Sequence, residues 1–295
     1  MTDGSAPAAS VIVPTFRDPE GLALCLACLS TQTLAGDRFE ILIADNNPEP
    51  MPVPPDLPPN ARVIHEPAPG SYAARNAAAR EARGRVLFFT DSDCRPAPDW
   101  IEAGLAALAA SPGVERLGGR IEIVPAGAAW TVPEIWDRIF ELRQHHYVRK
   151  GYAATANLIV TRRLFERVGP FDAGLFSSGD KEWNGRAGRA GAPIAYAGAA
   201  IVRHPARTTF ADNACKRARI IGGKLATRSK PRWRLWLTLP KYLLPSPKAF
   251  ARIAREPGLG PGERLGVMAF DYRLRLVDLR IVLAFLFGRH MPERR

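Results

Sequence analysis

The sequence predicts an α/β fold with a mainly parallel, Rossmann-like central sheet and a mostly helical C-terminal extension. Short apolar runs rich in β-branched residues alternate with helix-like segments through residue 114, a pattern that implies a parallel sheet covered on both faces. The run "VLFF" at 86–89 lacks in-and-out alternation, as a strand buried on both faces would. From Ala211 onward, helix-like stretches are broken at Pro231, Pro240, Pro245, Pro257 and Pro261.

The elements follow in order. "SVIVPTF" is a first strand ending beside a proline, and "PEGLALCLACLSTQT" is a helix whose Leu22, Cys25, Leu26 and Leu29 share a face. "FEILIAD" is a second strand that ends on Asp45, and the Pro- and Asn-rich residues 46–60 form a loop before the short strand "ARVIHEP". "SYAARNAAAREARG" is an alanine-rich helix stopped by Gly84, "RVLFFTD" the next strand, and "PDWIEAGLAALAAS" the helix after it. Past Val114 the rhythm changes. "ERLGGRIEIVP" reads as a strand, residues 126–151 as helix and loop, and "ATANLIVTRRLFERVGPFD" as strand then helix. "GDKEWNGRAGRAG" leads into a helix and "PIAYAGAAIVRHP" closes the sheet. The expected organisation is a polar leader at 1–9, a first α/β half at 10–114, a second half at 115–210 and a basic amphipathic helical extension at 211–295.

At 295 residues the chain has room for one large domain with an appendage. Its opening residues lack the features of a signal peptide, and "IVLAFLF" at 281–287 is too short to span a bilayer. The four cysteines include a C-x-x-C at 25 and 28, but no second pair completes a zinc site. Buried thiols on a helix face, in a reducing cytoplasm, are the expectation. Charge is uneven: residues 203–295 carry 21 Lys+Arg against 6 Asp+Glu, a net of +15, whereas the first 202 residues carry −3. Such a tail is suited to an anionic surface.

Ligands in open parallel sheets sit at the carboxyl ends of strands. Asp45, Asp91 and Asp93 all fall at such ends, and the D-x-D spacing lets Asp91 and Asp93 reach one space. Two hard oxygen donors there suit Mg²⁺ or Mn²⁺ shared with substrate phosphates. D-x-D is also a common solvated turn or helix cap; its place directly after "VLFF" is what favours a ligand.

Several stretches together resemble family 2 glycosyltransferases of the GT-A fold, over roughly residues 10–205, which implies a nucleotide-sugar-binding half at 10–114 and an acceptor-binding half at 115–210. "SVIVPTFR" is similar to that family's opening strand and nucleotide loop, which implies Pro14, Thr15 and Arg17 beside the base and ribose. "ILIADNN" implies that Asp45 bonds the nucleobase, and "GSYAARNAA" implies that Arg75 lies near the nucleotide. "FFTDSDC" matches the D-x-D strand, which puts Ser92 with the donor and Asp91 and Asp93 on the metal. "GPFDAGLFSSGDKEWNGRAGRAG" resembles the acceptor motif, with Asp180 as catalytic base. In related enzymes a residue near His204 completes the metal shell, although a lone histidine is more often structural. Gly119, Arg120, Asn157, Gly179, Glu182, Trp183 and Arg186 are assigned to the acceptor and sugar side. Trp183 would stack on a sugar or simply pack, and the glycines at 118 and 119 would let backbone approach the sugar or mark a bulge. Two departures stand out: Asn46, Asn47 and Pro48 follow Asp45 where the family often has a second aspartate and then Gly-Ser, and Gly179 replaces a common glutamate.

The resemblance implies metal-dependent, inverting transfer of one sugar from a nucleotide-diphosphate sugar, UDP by default, to an acceptor hydroxyl in cell-envelope glycan, glycolipid or polysaccharide biosynthesis. The Q-x-x-R-W motif of processive synthases is absent; "KPRWRLW" is nearest and lacks the glutamine. The expected location is the cytoplasm or the inner face of the membrane. "KPRWRLWLTLPKYLLPSPKAFARIAR" and "ERLGVMAFDYRLRLVDLRIVLAFLFG" both have the composition of interfacial helices, or of a layer packed on the catalytic domain. Nucleic acid is not expected as a partner, because no recognition motif accompanies the charge. A nucleotidyltransferase would carry a Gly-rich loop after the first strand, which "VPTFRDPEG" is not. The remaining alternative is an inactive GT-A-like carbohydrate- or membrane-surface-binding protein, which nucleotides with Mn²⁺ would fail to stabilise.

Overall fold

The structure is a computed structural model describing residues 6–175, 177–226 and 231–288. Residues 1–5 of the polar leader, Phe176 in the acceptor motif and Lys230 in "KPRWRLW" lie outside the described residues. The chain divides into two compact units: Met1–Glu122, Leu142–Leu175 and Gly179–His204 form the first, and Ile123–Glu141, Phe176–Ser178 and Pro205–Arg295 the second.

In chain order the elements are β1 (Ala9–Thr15), α1 (Pro19–Ser30), β2 (Phe39–Asp45), β3 (Ala61–His65), α2 (Ser71–Glu81), β4 (Val86–Phe89), β5 (Arg95–Pro96) and α3 (Trp100–Ala109). They continue with β6 (Arg116–Val124), α4 (Val132–Phe140), α5 (Gln144–Val148), β7 (Leu158–Thr161), α6 (Arg162–Val168), α7 (Gly179–Arg189) and β8 (Ile194–Pro205). Last come α8 (Phe210–Ala226), a 3₁₀ helix (Arg232–Thr238), α9 (Leu239–Leu243), α10 (Pro247–Arg255) and α11 (Pro261–Leu286).

The strands form one sheet in the order β3-β2-β1-β4-β7-β6-β8-β5. β3, β2, β1 and β4 are parallel, while β7 runs antiparallel to both β4 and β6, and β5 antiparallel to β8. All seven residues of β1 and of β2 are buried, as strands covered on both faces must be. The period-2 geometry of a strand divides them between two cores. Val11, Val13, Ile41, Ile43 and Phe88 pack with Leu22, Cys25, Leu26 and Leu29 of α1 and with Trp100 and Ile101 of α3. Ile12, Leu42, Leu87 and Phe89 face the opposite way, onto Ala74 and Ala78 of α2, Leu164 and Phe165 of α6 and Trp183 of α7. The small side chains of α2 let its backbone lie close to the sheet. That closeness brings Arg75, on the same helix, to the ends of the strands.

The second unit is helical. Trp136 and Ile139 of α4 pack with Ile253 of α10 and with Val267, Phe270 and Leu274 of α11. Leu225, Leu235 and Val282 make a smaller cluster. Within this unit α11 buries an apolar stripe together with Asp271 and Asp278. Trp136 Nε1 donates to Asp271 Oδ1 at 3.1 Å, Arg275 Nε to Asp271 Oδ2 at 2.9 Å, and Arg217 pairs with Asp278.

Candidate active site

β1, β2 and β4 run in one direction, and Thr15 is in register with Asp45, so their carboxyl ends form one edge of the first unit. At that edge β4 gives way to Thr90, Asp91, Ser92 and Asp93. The two-residue strand β5 then pairs with β8, setting Arg95 opposite Arg203. That pairing carries His204 back to the acidic pair, and its Nε2 lies 3.6 Å from Asp93 Oδ2. Ligand atoms of Asp91, Asp93, Cys94 and His204 all lie within 4.8 Å of one another.

The donor set fits a divalent cation: two carboxylates and an imidazole suit Mn²⁺ or Mg²⁺, Mn²⁺ accepting nitrogen more readily. Cys94 is a poor fourth donor. Burial, with Asp91 and Asp93 adding to it, pushes its thiol well above the ordinary range, and a neutral thiol does not suit a hard cation.

Arg75, nearly buried on α2, forms an ion pair with Asp91. Its guanidinium also lies over the ring of Tyr72, 5.8 Å from the centroid. The Tyr72 hydroxyl accepts from the amide of Asp180 at 3.2 Å. These contacts link the D-x-D segment to Asp180, in the first turn of α7. Burial raises the Asp180 carboxyl above the usual aspartate range; the Lys181 amide, which donates to Oδ1 at 2.7 Å, and Arg75 act against the rise, and Asp91 adds to it. Burial, then Asp180, pushes the Tyr72 phenol up to about 12, so it remains protonated at neutral pH.

Of the residues expected to meet the donor, Pro14 and Thr15 lie at the buried end of β1 and Arg17 is exposed just beyond it. Arg17 has φ of 51°, and its amide donates to Asn47 Oδ1 at 3.1 Å. Asp45 is buried and accepts from the Asn47 amide at 3.0 Å, Asn47 Nδ2 at 2.6 Å and the Met51 amide at 2.7 Å. It orders the loop that follows β2. Ser92 Oγ donates to Asp18 Oδ2 at 2.8 Å, and Asp18 caps α1 through the Gly21 amide.

The acceptor-side residues divide. Gly179 adjoins Asp180, and a Cβ there would lie 2.6 Å from the Tyr72 ring, so tyrosine fills the space a larger residue at 179 would need. Glu182 accepts from Arg186 Nε at 2.8 Å, and Arg186 also donates to the carbonyls of Val168 and Pro170, both at 2.6 Å. Trp183 lies in the core against Phe165 and Phe171, its Nε1 donating to the Gly169 carbonyl at 2.8 Å. Asn157 is fully buried: Oδ1 accepts from Trp100 Nε1 at 3.0 Å, and Nδ2 donates to the carbonyls of Arg120 and Ala200 at 2.8 and 2.9 Å. A Cβ on Gly119 would lie 2.4 Å from that amide group. Arg120 is exposed and pairs with Glu122 at 2.8 Å. Trp183, Arg186 and Asn157 thus hold the scaffold, while Gly179 and Asp180 stand with Tyr72 and Arg75.

Four residues at the site went unassigned from sequence: Asp18, Asn47, Tyr72 and Cys94. Asp18 carried a helix-cap signal, standing before Pro19. Tyr72 stands three residues before Arg75, the spacing that puts two side chains on one helix face. Asn47 stood out only as a departure from the family pattern after Asp45, and nothing in the sequence set Cys94 apart.

Comparison with known proteins identifies the family. The family model "Glycosyl transferase family 2" matches residues 10–168. The chain is 32% identical over 232 residues to "Glycosyltransferase AglE" of Haloferax volcanii, covering 74% of this chain and 73% of that protein. It is 28% identical over 172 residues to a pre-mycofactocin glycosyltransferase of Mycobacterium tuberculosis, covering 56% of this chain and 36% of the relative. Among solved structures, the mannosyltransferase PcManGT of Pyrobaculum calidifontis, in complex with GDP-Man and Mn²⁺, aligns with a TM-score of 0.55 at 16% identity, covering 97% of this chain and 75% of that one. TarS 1–349 of S. aureus aligns with a TM-score of 0.50 at 15% identity, covering 96% and 93%. The chain belongs to glycosyltransferase family 2, and it is an enzyme of the GT-A fold.

Proposed function

We propose that the enzyme transfers a single sugar from a nucleotide-diphosphate sugar to an acceptor hydroxyl with inversion at the anomeric carbon. The carrying observation is that the acidic pair and Asp180 are joined through Arg75 and Tyr72. Asp91, Asp93 and His204 would hold Mn²⁺ or Mg²⁺. Bound there, the cation supplies positive charge against the diphosphate leaving group. Arg75 adds a second positive charge at the same end of the site. Asp180, as its carboxylate, takes the proton from the acceptor hydroxyl as that oxygen attacks. Its raised pKa makes it a stronger base than a solvated aspartate. Tyr72 holds the start of α7, which keeps the base facing the space next to Arg75.

Pro14, Thr15, Arg17, Asp45 and Ser92 are proposed to form the nucleotide pocket, with UDP as the first carrier to test, then GDP and the deoxythymidine carrier. The acceptor is proposed to be a glycan or a lipid-linked sugar of the cell envelope, met at the cytoplasmic face of a membrane. Among the described residues no helix is long and apolar enough to cross a membrane, so such an acceptor would be met from the surface. The deciding experiment is hydrolysis of a panel of UDP-, GDP- and dTDP-sugars with and without Mn²⁺. Turnover that requires the cation, and is lost in Asp91→Ala and Asp93→Ala, supports the reading. Equal turnover with chelator in both variants would overturn the metal assignment.

A further inference from the structure

By composition either C-terminal amphipathic segment suits a membrane interface or a packed layer, and the two differ in exposure. α11 spends its apolar stripe on α4 and α8. The segment from Arg232 to Leu244 packs against α11 through only part of its apolar side chains. Its 3₁₀ helix repeats every three residues, so side chains at i and i+3 lie above one another. Leu235 occupies the inward row and packs with Leu225 and Val282. Trp233 and Trp236 share a second row and are 59% and 50% exposed, and Leu237 on the third row is 74% exposed. Leu243 and Leu244, at the end of α9, are also more than half exposed.

Five of the eleven large apolar side chains exposed among the described residues therefore fall within thirteen consecutive positions. Isolated exposed apolar residues need no explanation, but such concentration does. The charge of the segment indicates the occupant. Residues 231–255 contain six Lys or Arg and no Asp or Glu. Arg234 lies 5.5 Å from the Trp233 ring centroid and Lys241 5.1 Å from that of Tyr242, so cations and rings stand together. Tryptophan and tyrosine suit headgroup depth, leucine suits the acyl boundary, and Lys/Arg suit anionic headgroups. A nucleic acid would use the cations and rings but gains nothing from exposed leucines.

We infer that the 3₁₀–α9 segment, rather than α11, is the surface that docks on an anionic lipid bilayer, with Trp233, Trp236, Leu237, Leu243 and Leu244 entering the interface and Arg232, Arg234 and Lys241 meeting headgroups. This deepens the proposed encounter with a lipid-linked acceptor by naming the surface, and it rests on that reading only for its biological purpose.

The test is co-sedimentation of the full chain with phosphatidylglycerol-containing and pure phosphatidylcholine vesicles, alongside donor hydrolysis in solution. The wild type is expected to bind the anionic vesicles at least tenfold better, less so at high salt. W233S/W236S is expected to lose tenfold or more of that binding with melting temperature and donor hydrolysis unchanged, and L243S/L244S is expected to do the same. R232Q/R234Q/K241Q should remove the preference for anionic lipid. Unchanged vesicle binding in both apolar variants overturns the assignment. So does a concentration-dependent dimer that W233S/W236S abolishes, or an oligonucleotide complex formed without vesicle binding. Failure of donor hydrolysis alone would instead count against the enzymatic reading, so the two are separable.

Discussion

Asp180 is an anion held where it is poorly solvated. Burial lifts its pKa; the Lys181 amide and Arg75 counter that only in part, and Asp91 reinforces it. Because the folded value lies above the unfolded one, the stabilising contribution of this group is complete below the ordinary aspartate pKa and is lost as pH rises through the folded value. Asp180→Asn should therefore melt higher than the wild type at pH 7, with the gain vanishing in acid, while kcat falls by about 10²–10⁴-fold; thermal unfolding at two pH values and initial rates check both halves. For the wild type, a base that works deprotonated predicts an acid limb of kcat/KM above the ordinary aspartate range. Tyr72 gives a second test. Tyr72→Phe keeps the ring and removes the acceptor of the Asp180 amide, so a loss of about 1 kcal/mol of stability is expected, with a shift of the acid limb. Gly179→Glu forces a Cβ against the ring and should cost roughly 1–3 kcal/mol. In the double variant Tyr72→Ala/Gly179→Glu that cost should shrink, because the steric conflict is between those two side chains.

Among elements, the turn before β7 depends most on one side chain. Asn157 ties that turn to α3 through Trp100 and to β6 and β8 through the carbonyls of Arg120 and Ala200. An amide is needed, since one oxygen must accept while one nitrogen donates twice. Asn157→Ala would strand these buried groups and is expected to destabilise the fold by about 3 kcal/mol, measured by urea unfolding. The nearest functional consequence concerns β8, which carries His204: metal-dependent donor binding should weaken in the same variant even where it remains folded. β5 is the other economical element. Two residues long, it sets Arg95 opposite Arg203 and helps bring Asp93 near His204.

At the scale of the whole chain, the two units are held by different chemistry. The first is a sheet whose two faces are almost wholly apolar. The second carries paired charges in its interior: Lys216 Nζ lies 2.6 Å from Glu141 Oε2, Arg207 Nη1 lies 3.2 Å from Asp137 Oδ1, and Arg217 pairs with Asp278. Although burial alone would raise the Glu141 carboxyl, Lys216, then Arg207 and Arg217, hold it below the usual glutamate range. Its stabilising contribution is therefore present above that range and is lost as pH falls through the lowered value. Lys216→Met, which leaves Glu141 buried without its nearest cation, should cost roughly 3–5 kcal/mol, detectable as a lower unfolding midpoint in the second unit's tryptophan fluorescence.

What the residues determined unaided was local and periodic. Runs buried on both faces marked the strands, the i, i+3, i+4 spacing marked the face of α1, and a D-x-D at a strand end marked the proposed cation site, because each signal lies within one stretch of chain. The family resemblance rested on such stretches in order, and the family match bears it out. What only the folded chain decided was which distant side chains meet. His204 reaches Asp93 across 111 positions through a two-residue pairing too short to read as a strand, and Tyr72 occupies the space that Gly179 leaves open 107 positions away. Trp183 and Asn157 had the residue types of a sugar pocket, yet the fold places both in its interior with their polar atoms bonded. Likewise, α11 and residues 232–244 are alike in composition but differ in exposure, because burial depends on which face meets a neighbouring helix rather than on composition. Periodicity reports one element's faces; the partner of each face is a property of long-range packing, which no single stretch encodes.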